Sequence, residues 1–269
     1  MPDLASLILL GSLQGDAPAA PPSEPPFRLE LALDLWMPRL EGGFNDGGAK
    51  VDVRDVDLHD TEASFAGALR IVRDRIQIEL RGFSFGTEGA GTADTAFTLG
   101  GVTVGTGDRF DSGFSWWGAG AEVSYEVLHP LEGQKTTTDF ALFVLGSLDV
   151  QSVNRNLANL TAPASTDANE AFFVAQVGGG LRLRFDTGRS FPLCKALSIS
   201  AKAAVGASVP LDDGEFGGAA RVEAMFTGWF DAHSSIYLGY RLVGASLTGE
   251  EMEMTTSLQG LVAGFRYEF

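Results

Sequence analysis

The chain has 269 residues, of which 45% are hydrophobic, and its 35 acidic against 19 Lys or Arg side chains give a formal net charge of −16. This hydrophobic content excludes a disordered acidic chain, and the acidic excess argues against a protein that wraps nucleic acid, which needs a basic face. The single cysteine, Cys194, excludes an intrachain disulfide and a multi-cysteine metal site.

The first 26 residues are expected to precede the folded part. Leu4 to Leu13 is an apolar run of about ten residues, the length of a signal-peptide core and shorter than the roughly 18 residues of a membrane helix. Ala17-Pro18-Ala19 places small residues at the spacing of a cleavage site, so residues 1–19 are predicted to be a signal peptide. No Lys or Arg precedes Arg28, so a short amphipathic or disordered tail is the alternative. Residues 20–26 form a proline-rich lead.

From Phe27 onward the hydrophobic pattern has a period of two. Between Phe27 and Met37, large apolar side chains occupy every second position, as on one face of a strand. A helix would scatter the same side chains around its circumference. The pattern predicts strands at 27–39, 48–54, 62–72, 75–88, 95–105, 112–128, 138–150, 170–186, 195–208, 216–230, 234–248 and 255–269. The chain is therefore predicted to be all-β, with one domain at 27–269.

Two architectures put an apolar and a polar face on every strand. A soluble sandwich or lipocalin-like barrel turns the apolar face inward, whereas a transmembrane barrel turns it toward lipid. Predicted strands longer than the usual five or six residues favour the second architecture. So do aromatic residues near strand ends, which are expected to form interfacial girdles: Phe27, Trp36, Trp116, Trp117, Trp229, Phe230, Tyr267 and Phe269. We predict an antiparallel up-and-down transmembrane β-barrel of about 12 strands, with 10 and 8 as alternative counts.

The C-terminal run Gly260 to Phe269 resembles the closing strand of Gram-negative outer-membrane β-barrel proteins, which alternate apolar residues and end in an aromatic. The resemblance implies an outer-membrane location and contact with outer-membrane lipid and lipopolysaccharide. It also implies that Phe265, Tyr267 and Phe269 form the signal read by the barrel-assembly machinery. The resemblance says almost nothing about activity. Nucleic acid is not an expected partner, and the sequence does not indicate an oligomeric state.

Placing Phe269 at the periplasmic rim orients the connections. Asp231-Ala232-His233 then becomes a tight periplasmic turn, and Gln151 to Asn169 becomes a long outer loop. The remaining potentially catalytic side chains, His59, His129 and Cys194, also fall in periplasmic turns, away from inward-facing runs of Ser and acid residues. We therefore expect no enzyme activity, no catalytic residue, no cofactor and no metal site.

Alternation also predicts which charged side chains line the lumen. Ten cations face inward: Arg28, Arg70, Arg75, Arg81, Arg182, Arg184, Lys202, Arg221, Arg241 and Arg266. Nine anions do so: Glu30, Asp34, Glu62, Glu79, Glu122, Glu126, Asp186, Glu223 and Glu268. Buried charges persist only when they are paired or hydrated, so the lumen is either an ion-pair network or a narrow aqueous pore.

Three functions follow from these alternatives. The first is a narrow passive pore or a structural barrel, whose outer acids, including Asp212, Asp213, Glu250 and Glu251, would favour cations. The second is a non-conducting scaffold that binds lipopolysaccharide or a partner through those acidic loops. The third is a soluble exported barrel that binds an apolar ligand.

Overall fold

The computed structural model describes residues 27–46, 49–128, 137–187, 194–250 and 252–269. The predicted signal peptide and proline-rich lead, residues 1–26, lie outside these ranges, as do His129 and Glu251. None of the described residues belongs to a helix that is long and apolar enough to cross a membrane.

Strands are the only regular secondary structure among the described residues, and they are numbered here in chain order. They are β1 (Arg28–Asp46), β2 (Ala49–Asp52), β3 (Ser64–Arg73), β4 (Ile76–Thr92), β5 (Phe97–Leu99), β6 (Val102–Val104), β7 (Arg109–Leu128), β8 (Thr138–Asn159), β9 (Ala164–Asp186), β10 (Ala196–Pro210), β11 (Gly214–Glu215), β12 (Gly217–Trp229), β13 (Ser234–Gly249) and β14 (Glu253–Glu268).

Ten of these strands close into an antiparallel barrel. The wall runs β1, β3, β4, β7, β8, β9, β10, β12, β13, β14, and β14 pairs with β1 to complete the ring. The predicted all-β, up-and-down barrel is confirmed. The count of about 12 strands is corrected to ten, one of the alternative counts. Predicted strand 48–54 is the short β2 beside β1, and predicted strand 95–105 is the separate hairpin β5–β6.

The two ends of the barrel differ. At the terminal end, where Phe27 and Phe269 lie, β3 and β4 are joined by a two-residue turn at Asp74 and Arg75. At the opposite, distal end, β8 and β9 pair out to Asn159 and Ala164. The long outer loop predicted for 151–169 is therefore wrong, because this segment continues the backbone ladder and is reinforced by side-chain hydrogen bonds. His59, between β2 and β3, also lies at the distal end and not in a terminal-end turn as predicted.

The outward face of the wall is apolar and exposed. On β1, Leu31, Leu33, Leu35 and Met37 point outward, while the residues between them are buried. Apolar side chains also point outward on the other wall strands, for example at Val177 and Leu238. A soluble barrel would hide these side chains, whereas a barrel in a bilayer presents them to hydrocarbon.

The predicted aromatic girdle is only partly correct. Trp36 and Trp116 are 0% exposed and lie inside the barrel. Alternation places both on the polar face of their strands, and the structure fills that face with large apolar side chains in the distal half. Trp229, at the terminal end, is also buried, with 7% exposed, whereas Phe27, Trp117, Phe230, Tyr267 and Phe269 are exposed on the outside.

The distal half of the lumen is filled by an apolar septum. Wall residues contribute Trp36, Leu40, Phe44, Phe85, Phe110, Phe114, Trp116, Val153, Leu157 and Phe172, and inserted segments contribute Val53, Val56, Leu58, Leu99, Val102 and Val104. The inserted hairpin β5–β6 turns at Gly100 and Gly101, whose φ values of 60° and 76° suit glycine. The septum is therefore built from both the wall and the distal connections.

Replacing Leu33 by arginine tests the apolar belt. Leu33 lies midway along the apolar run of β1 and is 59% exposed, so a charge there is expected to destabilise a bilayer-inserted barrel by about 2–4 kcal/mol. Urea unfolding in lipid vesicles measures this loss. Asn156→Arg, on an exposed distal position of β8, is the control and should cost about 0–1 kcal/mol. Equal effects of the two changes would contradict the belt.

Candidate functional site: the charged lumen

A cavity of ≈ 160 Å³ occupies the lumen between the terminal-end turn and the septum. Its lining begins at Asp74 and Arg75, which are exposed, and ends at Phe83, Gln151 and Val243, next to the septum. Between these limits, charged side chains dominate the wall. This cavity is the largest concentration of buried ionic groups among the described residues.

Strand register explains why the charges meet here. Glu79 of β4 lies directly opposite Glu122 of β7, an arrangement of like charges that is unfavourable without cations. Glu223 of β12 lies opposite Lys202 on one side and Arg241 on the other. The carboxylates of three wall strands are thereby brought within reach of the same lysine.

Lys202 joins these three carboxylates. Its Nζ lies 3.6 Å from Glu79, 3.4 Å from Glu122 and 3.2 Å from Glu223. Arg81 extends the network, since it pairs with Glu122 at 2.7 Å and with Asp149 at 2.8 Å. The lysine therefore links β10 across the lumen to β4 and β7 as well as to its neighbour β12.

Two further branches of ion pairs extend along the lumen, one toward the terminal end and one toward the septum. Toward the terminal end, Glu30 pairs with Arg70 at 3.7 Å and with Arg266 at 3.6 Å, and Arg70 also pairs with Glu79. Toward the septum, Arg241 pairs with Asp34 at 2.7 Å and with Glu223 at 3.0 Å.

The septal branch is also held by aromatic residues. The guanidinium of Arg241 lies 5.6 Å from the ring of Trp36, and the Tyr237 hydroxyl donates a hydrogen bond to Asp34. A cation over an aromatic face is stabilised when it is desolvated. The ionic cavity and the septum therefore share side chains at their boundary.

We call these twelve residues the lumen network. It consists of six acids and six bases: Glu30, Asp34, Glu79, Glu122, Asp149 and Glu223 with Arg70, Arg81, Lys202, Arg221, Arg241 and Arg266. Its formal charge is zero, which is how so many ions tolerate burial. The network can crosslink the wall, and it can present charged donors to a small guest in the cavity.

The other residues predicted to face inward lie around the network. Arg75, Glu126 and Arg182 line the cavity near the terminal end, and Arg182 pairs with Glu126 at 2.7 Å. Arg28 with Glu268, and Arg184 with Asp186, form ion pairs of 3.8 and 3.7 Å at the terminal rim. Glu62 is the exception, because it lies in the distal connection before β3 and lines a different, outer groove.

Sequence reasoning missed two members of this site. Asp149 holds Arg81, and Tyr237 holds Asp34. The signal for Asp149 was its two-residue spacing from Ser147 and Gln151, which together mark the inward face of β8. Tyr237 lies on the same face of β13 as Arg241, and this position, not its hydroxyl, distinguishes it from the outward-facing Tyr240 of the same strand.

The histidines and the cysteine lie outside the network. His233 sits in the terminal-end turn before β13, where its backbone N–H and that of Ser234 donate to Asp231 and lower the pKa of that carboxyl. Cys194 donates its thiol to the Ala196 carbonyl at 3.0 Å. Within the described ranges, no three His, Cys, Asp or Glu side chains form a group that would hold a metal ion.

The predicted assembly signal lies along the outer face of β14 at the terminal end. Phe265, Tyr267 and Phe269 are exposed, and the rings of Tyr267 and Phe269 are 5.0 Å apart. The backbone N–H of Phe269 donates to Leu29 on β1 at 2.9 Å. The C-terminus is therefore part of the seam that closes the barrel.

A closed barrel with an apolar outer surface and a charged interior defines the class of this protein: a transmembrane β-barrel of the outer-membrane type. No protein-family model matches the chain, and no curated protein matches it by sequence.

Solved structures that the chain resembles are outer-membrane proteins with very low sequence identity. The outer-membrane protease OmpT of Escherichia coli is 9% identical, with a TM-score of 0.44 over 91% of this chain and 97% of that one. The attachment invasion locus protein Ail of Yersinia pestis is 9% identical, with a TM-score of 0.39 over 90% and 99%. The transport unit of the autotransporter AIDA-I from Escherichia coli is 11% identical, with a TM-score of 0.45 over 92% of each chain.

Proposed function

We propose that this chain is an outer-membrane barrel with a sealed lumen, a non-conducting scaffold whose distal end faces the exterior. The observation that carries the proposal is the apolar septum. It fills the lumen with side chains from the wall and from the inserted segments, including 53–58 and the β5–β6 hairpin. An ion crossing the barrel would have to leave its hydration shell in this layer.

Aromatic contacts make the septum continuous across the lumen. Trp116 of β7 contacts Phe83, Phe114 and Phe172, with ring centroids 6.3, 6.4 and 6.5 Å apart. Phe83 in turn contacts Trp36 of β1 at 5.8 Å. Side chains from β1, β4, β7 and β9 thus meet inside the barrel, which supports a plugged lumen instead of a water-filled one.

Planar-bilayer recording tests the proposal. Protein whose folding has been verified by heat-modifiable migration in detergent is expected to insert without conductance steps. A general porin purified and reconstituted in the same way serves as the positive control for insertion. Reproducible steps from the folded chain would contradict the sealed lumen and favour the narrow pore.

The distal half carries the acidic excess of the described residues, which suggests a partner. The acids there include Glu41, Asp52, Asp55, Asp57, Asp60, Glu62, Glu88, Asp94, Asp108, Asp111, Asp167, Glu170, Asp212, Asp213, Glu215, Glu250 and Glu253. Five bases accompany them: Arg39, Lys50, Arg54, Arg109 and Arg155. Carboxylate oxygens suit Ca²⁺ and Mg²⁺, so the proposed partner is lipopolysaccharide bridged through divalent cations.

Chelation tests this partner. Lipopolysaccharide is expected to co-purify with the folded barrel in Mg²⁺ and to dissociate when the cation is removed with EDTA. The quadruple change of Asp212 and Asp213 to Asn, and of Glu250 and Glu251 to Gln, should weaken retention, whereas neutralising terminal-end Asp139 and Asp186 should leave it unchanged. Retention that is indifferent to chelation would contradict the bridge.

A further inference from the structure

Arg221 is a buried cation of the lumen network with an incomplete set of partners. It lies on β12, is 4% exposed and lines the cavity. Its Nη2 pairs with Glu122, but its Nη1 has no hydrogen-bond partner among the described residues. A buried N–H without an acceptor is costly, and more so when it carries charge.

The neighbouring strands explain the missing acceptor. Arg221 lies opposite Ala204 of β10 and Val243 of β13, neither of which offers a polar side chain. Two residues away on the same face, Glu223 lies between Lys202 and Arg241 and is paired with both. The strand register thus gives Glu223 a cation on each neighbouring strand, whereas Arg221 has none of its partners there and pairs with Glu122 across the lumen.

The carboxylate that Arg221 reaches is already shared. Glu122 also pairs with Arg81 at 2.7 Å and with Lys202 at 3.4 Å. Arg81 has a second carboxylate in Asp149, and Lys202 has Glu79 and Glu223. Three cations therefore converge on one carboxylate, and Arg221 is the one whose second donor points at no protein acceptor.

We propose that the cavity binds a small monovalent anion, a halide or a short carboxylate such as formate, on Nη1 of Arg221. A volume of ≈ 160 Å³ accommodates such a guest, and an anion supplies the acceptor that Nη1 lacks. The lining reaches exposed Asp74 and Arg75, so the guest enters from the terminal end. The site is independent of whether the barrel conducts.

Anion-dependent thermal stability tests the site in the full chain, refolded in detergent. Raising sodium formate from about 10 to about 200 mM is expected to raise the unfolding midpoint of the unmodified protein by about 2–4 °C through mass action. Arg221→Met should abolish most of this rise. The variant is expected to fold, because Glu122 keeps Arg81 and Lys202.

Arg73→Met is the matched control. It removes the same charge from an exposed terminal-end position that does not line the cavity, and it should retain the full formate response. This comparison removes general effects of salt on stability. An equal formate response in Arg221→Met and Arg73→Met would overturn the proposal.

A second measurement covers the case in which Arg221→Met does not fold. Crystals of the unmodified protein grown in sodium bromide are expected to show an anomalous peak within hydrogen-bond distance of Arg221 Nη1. Density that fits only water at that position would overturn the anion site. Neither result depends on the conductance test, so the two proposals can fail separately.

Discussion

Replacing Glu122 by glutamine is expected to lower the free energy of unfolding by about 3–5 kcal/mol, the cost of leaving buried charges without their partner. Glu122 is 2% exposed and binds Arg81, Lys202 and Arg221. A glutamine keeps the shape of the side chain but removes the negative charge that holds these cations together. Urea titration in detergent, followed by heat-modifiable migration, measures the loss.

Two further variants serve as the control and the rescue for Glu122→Gln. Glu88→Gln, an outward-facing and exposed change on β4, should stay within about 0.5 kcal/mol of the unmodified protein. Adding Arg221→Met to Glu122→Gln should restore part of the stability, because the remaining cations keep Asp149, Glu79 and Glu223. A Glu122→Gln protein as stable as Glu88→Gln would mean that the network does not hold the wall.

Replacing Trp116 by alanine is expected to cost about 3–5 kcal/mol, because it leaves a large cavity in a closely packed layer. Trp116 contacts three other aromatic rings of the septum, and its Nε1 donates to Gln151 at 2.8 Å. The change therefore also leaves a buried amide oxygen without its donor. The same urea titration reports the effect.

The adjacent tryptophan is the control. Trp117 faces outward and is 47% exposed, so Trp117→Ala opens no cavity in the septum and should cost less than half as much. Both variants remove the same side chain from the same strand, and only the face differs. Equal losses at 116 and 117 would contradict the assignment of Trp116 to a packed septum.

The barrel wall was largely predictable from the sequence. Alternation from Phe27 to Met37 marks β1, and similar runs mark the other wall strands, but β1, β8 and β9 extend six to nine residues further at the distal end than predicted. Alternation is informative here because successive side chains of a strand point to opposite faces. It therefore assigns a residue to a face without any knowledge of the neighbouring strand.

The distal half was predicted less well. Strand 95–105 was counted in the wall, although its Gly100-Gly101 turn between short alternating runs is the pattern of a tight hairpin. Trp36 and Trp116 were assigned to the girdle because apolar residues near strand ends suit a bilayer interface. Alternation places both tryptophans on the polar face of their strands, but it cannot show that the distal lumen is filled with apolar side chains, because that filling depends on which other segments pack there.

In the candidate site too, alternation assigned each residue to a face, whereas the contacts between residues depend on the tertiary structure. Strand alternation placed Arg221, Glu122 and Lys202 on the inner face, but the residues that they contact depend on strand register and on the distance across the lumen. Arg221 and Glu122 are 99 positions apart in sequence, and no local pattern relates them. That Arg221 lies between Ala204 and Val243 is likewise a consequence of how β10, β12 and β13 are aligned.

The sequence by itself determined the all-β class, the antiparallel barrel and the two faces of its strands, because these follow from a period of two that is local to each segment. The tertiary structure alone decided the ten-strand count, the septum and the network of six acids and six bases. Each of these depends on which distant segments pack together, and packing inside a closed wall is set by register and volume. Because the lumen network is neutral, the acidic excess of the described residues lies outside it, mainly at the distal end.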